Sequence, residues 1–343
     1  MRAPALALVV VLAGCAPAEE PCMGQPLAIW MWGQSNQVGG ASTDDLSAGN
    51  VGYKDAYPSV QLAQTLCSQA VGPTIDVYPF EALQPHRVIG SNPASARKSF
   101  GAELSMGRRL REFYGDGAIY LIKWARNGTS LNVHWKPTAA PPAGESENLY
   151  TQAFNFCRQK TLEIGATVLA LDWCQGNGDA NGAGPAGLYA ENMTALSDRW
   201  LADLGYFAWL IFDQLPSGVV APHVATVRAE QAYFASTTPG VIMIPTEGLA
   251  LRDDDHYEAN AFIDLGTLKG NALCFGDVAA ELAAADELAA DMVATDELGV
   301  ELAADDLVGE LADVDAVAAD LAEDLLQAGL EEPDILVCSL EEV

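Results

Sequence analysis

The chain has 343 residues, with 47 acidic and 17 basic side chains that give a formal net charge of −30 at neutral pH. So strong a negative charge argues against nucleic acid as a partner, because the phosphate backbone would be repelled. The length and a hydrophobic content of 50% fit one globular domain with an appendage.

The amino-terminal segment has the layout of a signal peptide in its lipoprotein form. Met1 and Arg2 supply a small positive region, and residues 3–12 are apolar but too few to span a bilayer as a mature helix. Leu12-Ala13-Gly14-Cys15 follows and resembles a bacterial lipobox. The resemblance implies cleavage before Cys15 and acylation of that cysteine, and two or more acyl chains anchor a protein stably to a membrane.

These features predict a signal peptide over residues 1–14 and a lipidated tether over residues 15–26. We expect an exported protein that is lipid-anchored to the cell envelope, and Ala16 after the cysteine favours the outer membrane of a Gram-negative cell. No other segment approaches about 18 uninterrupted apolar residues, the length of a membrane-spanning helix. An ordinary secretory signal with an incidental cysteine is the alternative.

Six further cysteines lie beyond the signal peptide, and none of their spacings is that of a metal site. Because an exported protein meets an oxidising compartment, we expect one or more disulfides among them, with a pairing that sequence alone does not give. The six are Cys22, Cys67, Cys157, Cys174, Cys274 and Cys338.

The stretch from Leu27 to Gly40 begins as a short apolar run and ends abruptly in polar residues and glycines. Such a run predicts a strand buried on both faces in a parallel sheet. Ser35 then falls at the carboxyl end of the strand, where open α/β sheets bind ligands, and is a candidate nucleophile. A turn serine after a core strand is the alternative.

Beyond this stretch, short apolar runs alternate with helix-like segments as far as about Cys274. The pattern predicts a mainly parallel sheet of five strands with helices on both faces. The further apolar runs are 118–124, 167–173, 206–212 and 241–245, and the helix-like segments are 100–113, 149–162, 188–203 and 226–235. Residues 41–99 break the rhythm, and we expect loops there with a short helix near 57–70.

Residues 277–343 contain 21 of the acidic side chains and no Lys or Arg, which leaves 26 acids against 17 bases in the rest of the chain. Apolar residues from Leu307 to Leu325 follow a four-three spacing that marks one helix stripe, and Gly329 and Pro333 are stop signals. We therefore predict a domain over 27–275 and an acidic helical or partly disordered tail over 276–343. A solvated extension, a helix for an unknown partner and a five-residue repeat remain open.

Three polar or glycine-rich segments follow the predicted strands at 125–131, 174–180 and 252–256. In a parallel sheet they converge on the same rim as Ser35. Acyl transfer by a serine needs a base for the hydroxyl proton, a carboxylate that orients the base, and N–H donors for the developing oxyanion. These segments contain a candidate for each part.

Five motifs, in order and spacing, resemble the sialate O-acetylesterase domain, the carbohydrate esterase branch of the SGNH hydrolases. They are Gly33-Gln34-Ser35-Asn36, Ser99-Phe100-Gly101-Ala102-Glu103-Leu104, the run from Ile122 to Leu131 with Trp135 beyond it, Trp173-Cys174-Gln175-Gly176, and Asp253 followed by His256. The resemblance covers roughly residues 27–273. It implies a flavodoxin-like three-layer α/β/α sandwich and removal of acetyl groups from sugars without a metal or other cofactor.

The resemblance also implies a role for each part of the site. Ser35 would be the nucleophile, His256 the general base and then the acid, and Asp253 the carboxylate that orients His256. The backbone N–H groups of Ser35 and Gly128 and the side-chain amide of Gln175 would form the oxyanion hole. Each such donor contributes about 10² to 10³ in rate. We expect the neighbouring residues Gln34, Asn36, Asn127 and Asn177 to contact the substrate.

Other interpretations of these residues stay open. His256 could be structural, and Asp254 or Asp255 could replace Asp253 as the orienting carboxylate. The three aspartates lack the interleaved glycine and distal glutamate of a known calcium loop, so we predict no metal. Lys123 and Arg126 could lie near the rim and favour anionic sugars, or could be solvated. The Asn127-Gly128 pair could be only a turn, and Trp30, Trp32, Trp124 and Trp173 are expected to fill the core.

The chain departs from the family pattern at three positions, although none is in the triad. Asn177 stands where the family usually has glutamate, Gln37 replaces a small apolar residue or methionine, and Asn127 replaces the first glycine of a pair. We therefore weigh a carbohydrate O-acetylesterase against a carbohydrate-binding lipoprotein of the same fold with reduced turnover. A lipid or aryl esterase would need a longer apolar acyl pocket, which the sequence does not show.

Overall fold

The structure is a computed structural model that describes residues 26–69, 74–92, 94–115 and 117–274. The predicted signal peptide, the predicted acylation site Cys15, nearly all of the tether and the acidic tail lie outside the described residues. Within the described part of the chain, no helix is both long enough and apolar enough to cross a membrane.

Nine strands and seven helices make up the described domain. The strands are β1 (Leu27–Gly33), β2 (Ala41–Ser42), β3 (Tyr57–Cys67), β4 (Ile75–Leu83), β5 (Ser99–Phe100), β6 (Ile119–Arg126), β7 (Thr167–Cys174), β8 (Trp209–Asp213) and β9 (Val241–Ile244). The helices are α1 (Ser35–Val38), α2 (Glu103–Tyr114), α3 (Leu149–Ile164), α4 (Ala183–Gly187), α5 (Tyr189–Leu204), α6 (Val224–Thr237) and α7, which covers 259–274.

Seven of the strands form one sheet in the order β4-β3-β6-β1-β7-β8-β9, and β2 pairs with β5 apart from it. Every neighbouring pair in the large sheet is parallel except β3 with β4. The five predicted strands are β6-β1-β7-β8-β9, whose connectivity is the 2-1-3-4-5 order of flavodoxin-like sheets. The predicted fold class is confirmed, but the sheet has seven strands rather than five.

The two additional strands lie in the segment that we expected to be loops with a short helix near 57–70. That expectation was wrong, because the apolar residues of β3 fit both a helix spacing and the two-residue spacing of a strand. Pairing decides between them: Val60 lies opposite Ile119 and Cys67 opposite Arg126, so β3 pairs in parallel along the whole length of β6. β4 then closes the edge as an antiparallel partner.

The central strand β1 shows how the three layers form. All seven of its residues are buried, and their side chains alternate between two apolar clusters. Trp30 and Trp32 point into a cluster with α3, α5 and α6, whereas Ile29 and Met31 point into a cluster with α2 and α7. The sheet is therefore covered on both faces, as a parallel sheet requires.

Aromatic side chains dominate the cluster on the α3 side. The four tryptophans expected in the core, Trp30, Trp32, Trp124 and Trp173, are all buried. The Trp30 Nε1 donates to Thr161 Oγ1 at 2.8 Å, so the indole N–H is satisfied where water cannot reach it. These rings hold the strands and are not available to stack on a sugar.

Three cysteines are buried in the elements of the sandwich and form no disulfide. Cys67 and Cys174 lie on strands, and Cys157 lies on α3, where its Sγ accepts a hydrogen bond from Trp32 Nε1 at 3.2 Å. The expectation of disulfides is wrong for these three, because each thiol packs inside the core. Burial also raises the pKa of the Cys67 thiol to about 11.

Candidate active site

Ser35 reaches the carboxyl edge of the sheet through a tight turn at the end of β1. Gly33 is needed there, because a Cβ atom at that position would lie 2.1 Å from the backbone oxygen of Cys174. The next residue, Gln34, donates its N–H to the same oxygen at 3.0 Å. The chain then turns into α1, which begins at Ser35 and places it between the ends of β6 and β7. This is the edge of an open α/β sheet where ligands bind.

Three side chains meet in series at this edge. The Ser35 Oγ lies 3.0 Å from Nε2 of His256, and the Nδ1 of His256 lies 2.9 Å and 3.0 Å from the two carboxylate oxygens of Asp253. The carboxylate against Nδ1 belongs to Asp253, and the alternatives Asp254 and Asp255 do not take this position. An imidazole held on one nitrogen by a carboxylate and facing a serine hydroxyl with the other is arranged to accept the hydroxyl proton.

Asp253 is fixed by its own backbone neighbours. Its Oδ1 accepts N–H groups of Asp255 at 2.9 Å and His256 at 2.8 Å, so one oxygen holds both the loop and the imidazole. Partial burial acts to raise the pKa of Asp253, but these hydrogen bonds and the imidazole outweigh it and lower the pKa to about 2. The carboxylate is therefore ionised throughout the neutral and mildly acidic range.

Asn36 fastens the histidine loop to the serine turn. Its side chain is buried, its Nδ2 donates to the backbone oxygen of Asp255 at 3.0 Å, and its Oδ1 accepts the N–H of Tyr257 at 3.4 Å. The two contacts lie on either side of His256, so Asn36 sets how that residue approaches Ser35.

Gln34 and Asn177 make a second connection to the same loop. Gln34 Nε2 donates to Asn177 Oδ1, and Asn177 Nδ2 contacts the backbone and side-chain oxygens of Asp255 at 3.3 Å and 3.2 Å. The structure thus gives Gln34, Asn36 and Asn177 contacts that hold the loop, and the substrate contacts that we expected for them stay a prediction.

The amide of Gln175 is held by other protein groups. Its Nε2 donates to Asp179 Oδ2 at 2.7 Å and, through a long contact of 3.3 Å, to the backbone oxygen of Thr129, while its Oε1 is buried without a hydrogen-bond partner. Only the N–H in the long contact could turn to an oxyanion without breaking the strong bond to Asp179. The oxyanion role of Gln175 stays a prediction.

Asp179 connects the two loops that contain the predicted oxyanion donors. It is fully buried, and it accepts the backbone N–H groups of Leu131 at 2.7 Å and Asn132 at 2.9 Å in addition to the Gln175 amide. Burial raises its pKa, and the three hydrogen bonds oppose that change. Sequence reasoning missed this residue, although a lone aspartate among Gly, Asn and Ala after a core strand was a signal that could have found it.

Gly128 and Asn127 form the turn that follows β6. Gly128 is exposed and has a φ of 68°, a left-handed conformation that favours glycine. Asn127 donates its backbone N–H to Cys67 at 3.0 Å. The turn lies at the end of the strand next to β1, on the side of the sheet where Ser35 emerges, and the predicted oxyanion role of the Gly128 N–H and the predicted substrate contact of Asn127 stay predictions.

A lysine of α7 and two aspartates of β7 and β8 form a buried ion cluster. Lys269 Nζ, on α7, contacts Asp172 Oδ1 at 2.7 Å and Asp213 Oδ1 at 2.9 Å, and all three residues are buried. Burial alone would lower the pKa of Lys269, but the two carboxylates raise it above its ordinary value.

This cluster reaches the triad on two sides. Gln37, two residues after Ser35, donates to Asp172 Oδ2 at 2.9 Å, and the hydroxyl of Tyr257, next to His256, donates to Asp213 Oδ2 at 3.4 Å. Asp172 lies within the apolar run 167–173 and Asp213 directly follows the run 206–212, and these two positions were the sequence signal for the cluster.

Lys123 and Arg126 lie on β6 and not at the solvated rim. Lys123 is 0% exposed and pairs with Glu103 at 3.0 Å, and Arg126 is 1% exposed and binds Glu145 through both terminal nitrogens. Both earlier interpretations, contact with anionic sugars and simple solvation, are therefore wrong. The reason is their place on a strand that is covered on both faces.

Within the described residues, no group of three or more His, Cys, Asp or Glu side chains is arranged to hold a metal ion. The expectation that the reaction needs no metal or other cofactor stays a prediction.

A serine, a histidine and an aspartate bonded in series at the carboxyl edge of a flavodoxin-like sheet define the class of serine hydrolases to which the SGNH enzymes belong. The family model described as "Carbohydrate esterase, sialic acid-specific acetylesterase" matches residues 27–274. The chain belongs to this family and is a carboxylic ester hydrolase. No curated protein matches the sequence.

Solved structures share this fold at low sequence identity. A protein from Arabidopsis thaliana aligns with a TM-score of 0.56 at 17% identity, covering 73% of this chain and 98% of its own. NanS aligns with a TM-score of 0.53 at 14% identity, covering 73% and 96%. XAC1771, a carbohydrate acetylesterase from Xanthomonas citri, aligns with a TM-score of 0.50 at 18% identity, covering 72% and 57%. At these identities, the likeness concerns the fold alone.

Proposed function

We propose that the protein hydrolyses O-acetyl groups on carbohydrates through an acyl-enzyme on Ser35. The observation that carries the proposal is the hydrogen-bonded series from Ser35 Oγ through His256 to Asp253. The family match and the likeness to the carbohydrate acetylesterase XAC1771 support an acetylated carbohydrate as the substrate.

The reaction has two halves. Ser35 Oγ attacks the acetyl carbonyl carbon while His256 Nε2 takes the hydroxyl proton. The tetrahedral intermediate collapses, the ester C–O bond breaks, and the imidazolium returns its proton to the sugar oxygen. Water, deprotonated by the same imidazole, then attacks the acetyl-serine. The bond from the acyl carbon to Ser35 Oγ breaks, acetate leaves, and the imidazolium returns the proton to Ser35 Oγ. Asp253 stabilises the imidazolium in both halves.

One observation favours a second candidate, a carbohydrate-binding protein with weakened turnover. The Gln175 amide is bound to Asp179 and Thr129, so the third predicted oxyanion donor is already engaged. Loss of one such donor lowers kcat about 10² to 10³-fold.

Acetate release from a short-chain aryl acetate, acetylated xylan and an O-acetylated sialic acid tests the proposal. We expect the wild type to release acetate and Ser35→Ala to lose at least about 10³-fold in kcat, because the nucleophile is gone. Ser236→Ala is the matched control, since Ser236 lies on α6 and its Oγ bonds only the Tyr233 carbonyl. If wild type and control fold and bind acetylated glycan without releasing acetate, the binding-protein alternative is correct.

A further inference from the structure

The side chain of Asn177 bridges the serine turn and the histidine loop. Gln34 Nε2 donates to Asn177 Oδ1, and Asn177 Nδ2 donates to the backbone oxygen of Asp255 at 3.3 Å and to its Oδ1 at 3.2 Å. Gln34 is the residue directly before Ser35. Asp255 is the residue directly before His256. The bridge therefore spans the same gap as the hydrogen bond between Ser35 Oγ and His256 Nε2.

The two ends of the Asn177 amide meet opposite requirements. Its oxygen accepts an N–H from the buried side chain of Gln34. Its nitrogen faces two oxygens of Asp255, one from the backbone and one from the carboxylate, so each of its two hydrogens has an acceptor. An amide can accept at one end and donate at the other, whereas an ionised carboxylate can only accept. The bridge therefore requires an amide at this position.

We propose that Asn177 is a positioning residue for the hydrolysis, which sets the approach of His256 to Ser35 through its bridge. The inference rests on the proposed esterase function and gives this residue a role in the chemical step instead of in sugar binding. A misplacement of about 1 Å at a reacting group can lower the rate about 10²-fold. Asn36 holds the same loop through other contacts, so the bridge fixes the loop at a second point.

Replacement of the amide by a carboxylate of the same size tests the donor end of the bridge. Asn177→Asp keeps an acceptor for Gln34 but places a second carboxylate against that of Asp255, and like charges at this distance repel. We expect kcat to fall about 10- to 100-fold on both a neutral aryl acetate and an O-acetylated glycoside, because the imidazole is displaced. A residue that bound the sugar would lower the rate on the glycoside alone, since the aryl acetate carries no sugar.

A second substitution, at the acceptor, should rescue the first. When Asn177→Asp is combined with Asp255→Asn, the new amide donates to the new carboxylate, so the hydrogen bond is kept with its direction reversed. We expect kcat of the double variant to exceed that of Asn177→Asp about fivefold or more, because the two positions are directly coupled. Asp255→Asn alone should stay within about threefold of the wild type, since an amide oxygen still accepts from Asn177. A substitution that only destabilised the fold would not be rescued in this way.

Asn155→Asp is the control, because it makes the same chemical change at an exposed position on α3 and should leave kcat unchanged. An unchanged kcat in Asn177→Asp, a loss confined to the glycoside, or no recovery in the double variant would overturn the inference. Labelling of Ser35 by a neutral fluorophosphonate separates it from the proposed function, since that reaction needs the same imidazole but no acetyl ester. If the wild type is labelled but releases no acetate, the proposed function fails, and the inference fails too unless Asn177→Asp is labelled at least about tenfold more slowly. If the wild type is neither labelled nor active, both fail.

Discussion

The three residues of the triad come from distant parts of the chain, and their roles were predicted from short motifs and the family resemblance that these motifs carry. Ser35 follows a buried strand. Asp253 stands three residues before His256, so a short loop brings the Asp253 carboxylate to Nδ1 of the His256 imidazole. Asn36 and Asp179 could not be assigned in the same way, because their partners belong to loops whose relative position depends on the whole sheet. The sequence therefore indicated the three side chains that the structure brings together and missed those that align them.

The orienting carboxylate gives a prediction about pH. Because the pKa of Asp253 is about 2, this carboxylate takes up no proton in the mildly acidic range. A plot of log(kcat/KM) against pH should therefore rise with a slope of one on its acid side. Any stability that Asp253 contributes is complete above about pH 4 and is lost as the pH falls toward 2, because its pKa is lower in the folded state.

The substitution Asp253→Asn should lower kcat about 10² to 10⁴-fold, since the amide no longer stabilises the imidazolium. Asp254→Asn removes the same charge one residue away and should retain the rate on a neutral aryl acetate. A wild-type slope of two that becomes one in Asp253→Asn would show that Asp253 takes up a proton in this range and would contradict the assignment.

At the scale of elements, α7, β7 and β8 contribute a buried ion cluster that contacts residues next to Ser35 and His256. Lys269 bridges Asp172 and Asp213, which in turn contact Gln37 and Tyr257 beside the two catalytic loops. Periodicity found α2, α3, α5 and α6 and the five central strands within a few residues. It missed β3 and β4, because a short apolar run is ambiguous until its neighbour in the sheet is known.

Removal of Lys269 should destabilise the protein, because Asp172 and Asp213 lose the cation that neutralises them. Lys269→Met leaves two buried carboxylates without a cation, and we expect a loss of about 3 to 5 kcal/mol in the free energy of unfolding. Denaturant titration measures this loss, and kcat should fall as well, because both catalytic loops lose a support.

A matched triple variant separates charge from packing. Asp172→Asn and Asp213→Asn combined with Lys269→Met remove all three charges, and much of the lost stability should return. If the triple variant is as unstable as Lys269→Met alone, the contribution of the lysine comes from its packing and not from its charge.

At the scale of the whole molecule, the family match concerns the domain, and the terminal segments lie outside the described residues. The family match covers residues 27–274, close to the domain that we predicted over 27–275, while the boundaries themselves stay predictions. Cys67, Cys157 and Cys174 are buried thiols, so they give no support for an oxidising compartment. The first 15 residues, with the lipobox that ends at Cys15, are the feature that predicts export.

We propose that the chain is exported and anchored through lipid on Cys15. When the full chain is expressed in a bacterial host, it should be recovered in the membrane fraction, and Cys15→Ser should move it to the soluble fraction, because the acylated residue is absent. Cys22→Ser is the control and should behave as the wild type. Membrane recovery of Cys15→Ser, or soluble recovery of the wild type, would contradict the anchor.

The position of Lys269 has a consequence for biosynthesis. Ser35, Asp253 and His256 all leave the ribosome before this lysine, so a nascent chain holds a complete triad while Asp172 and Asp213 still lack their cation. Burial of two unneutralised carboxylates is strongly unfavourable, and the sheet should not close firmly around them. The esterase should therefore become active only when α7 has been synthesised and docked, so that no ester is hydrolysed before folding is complete.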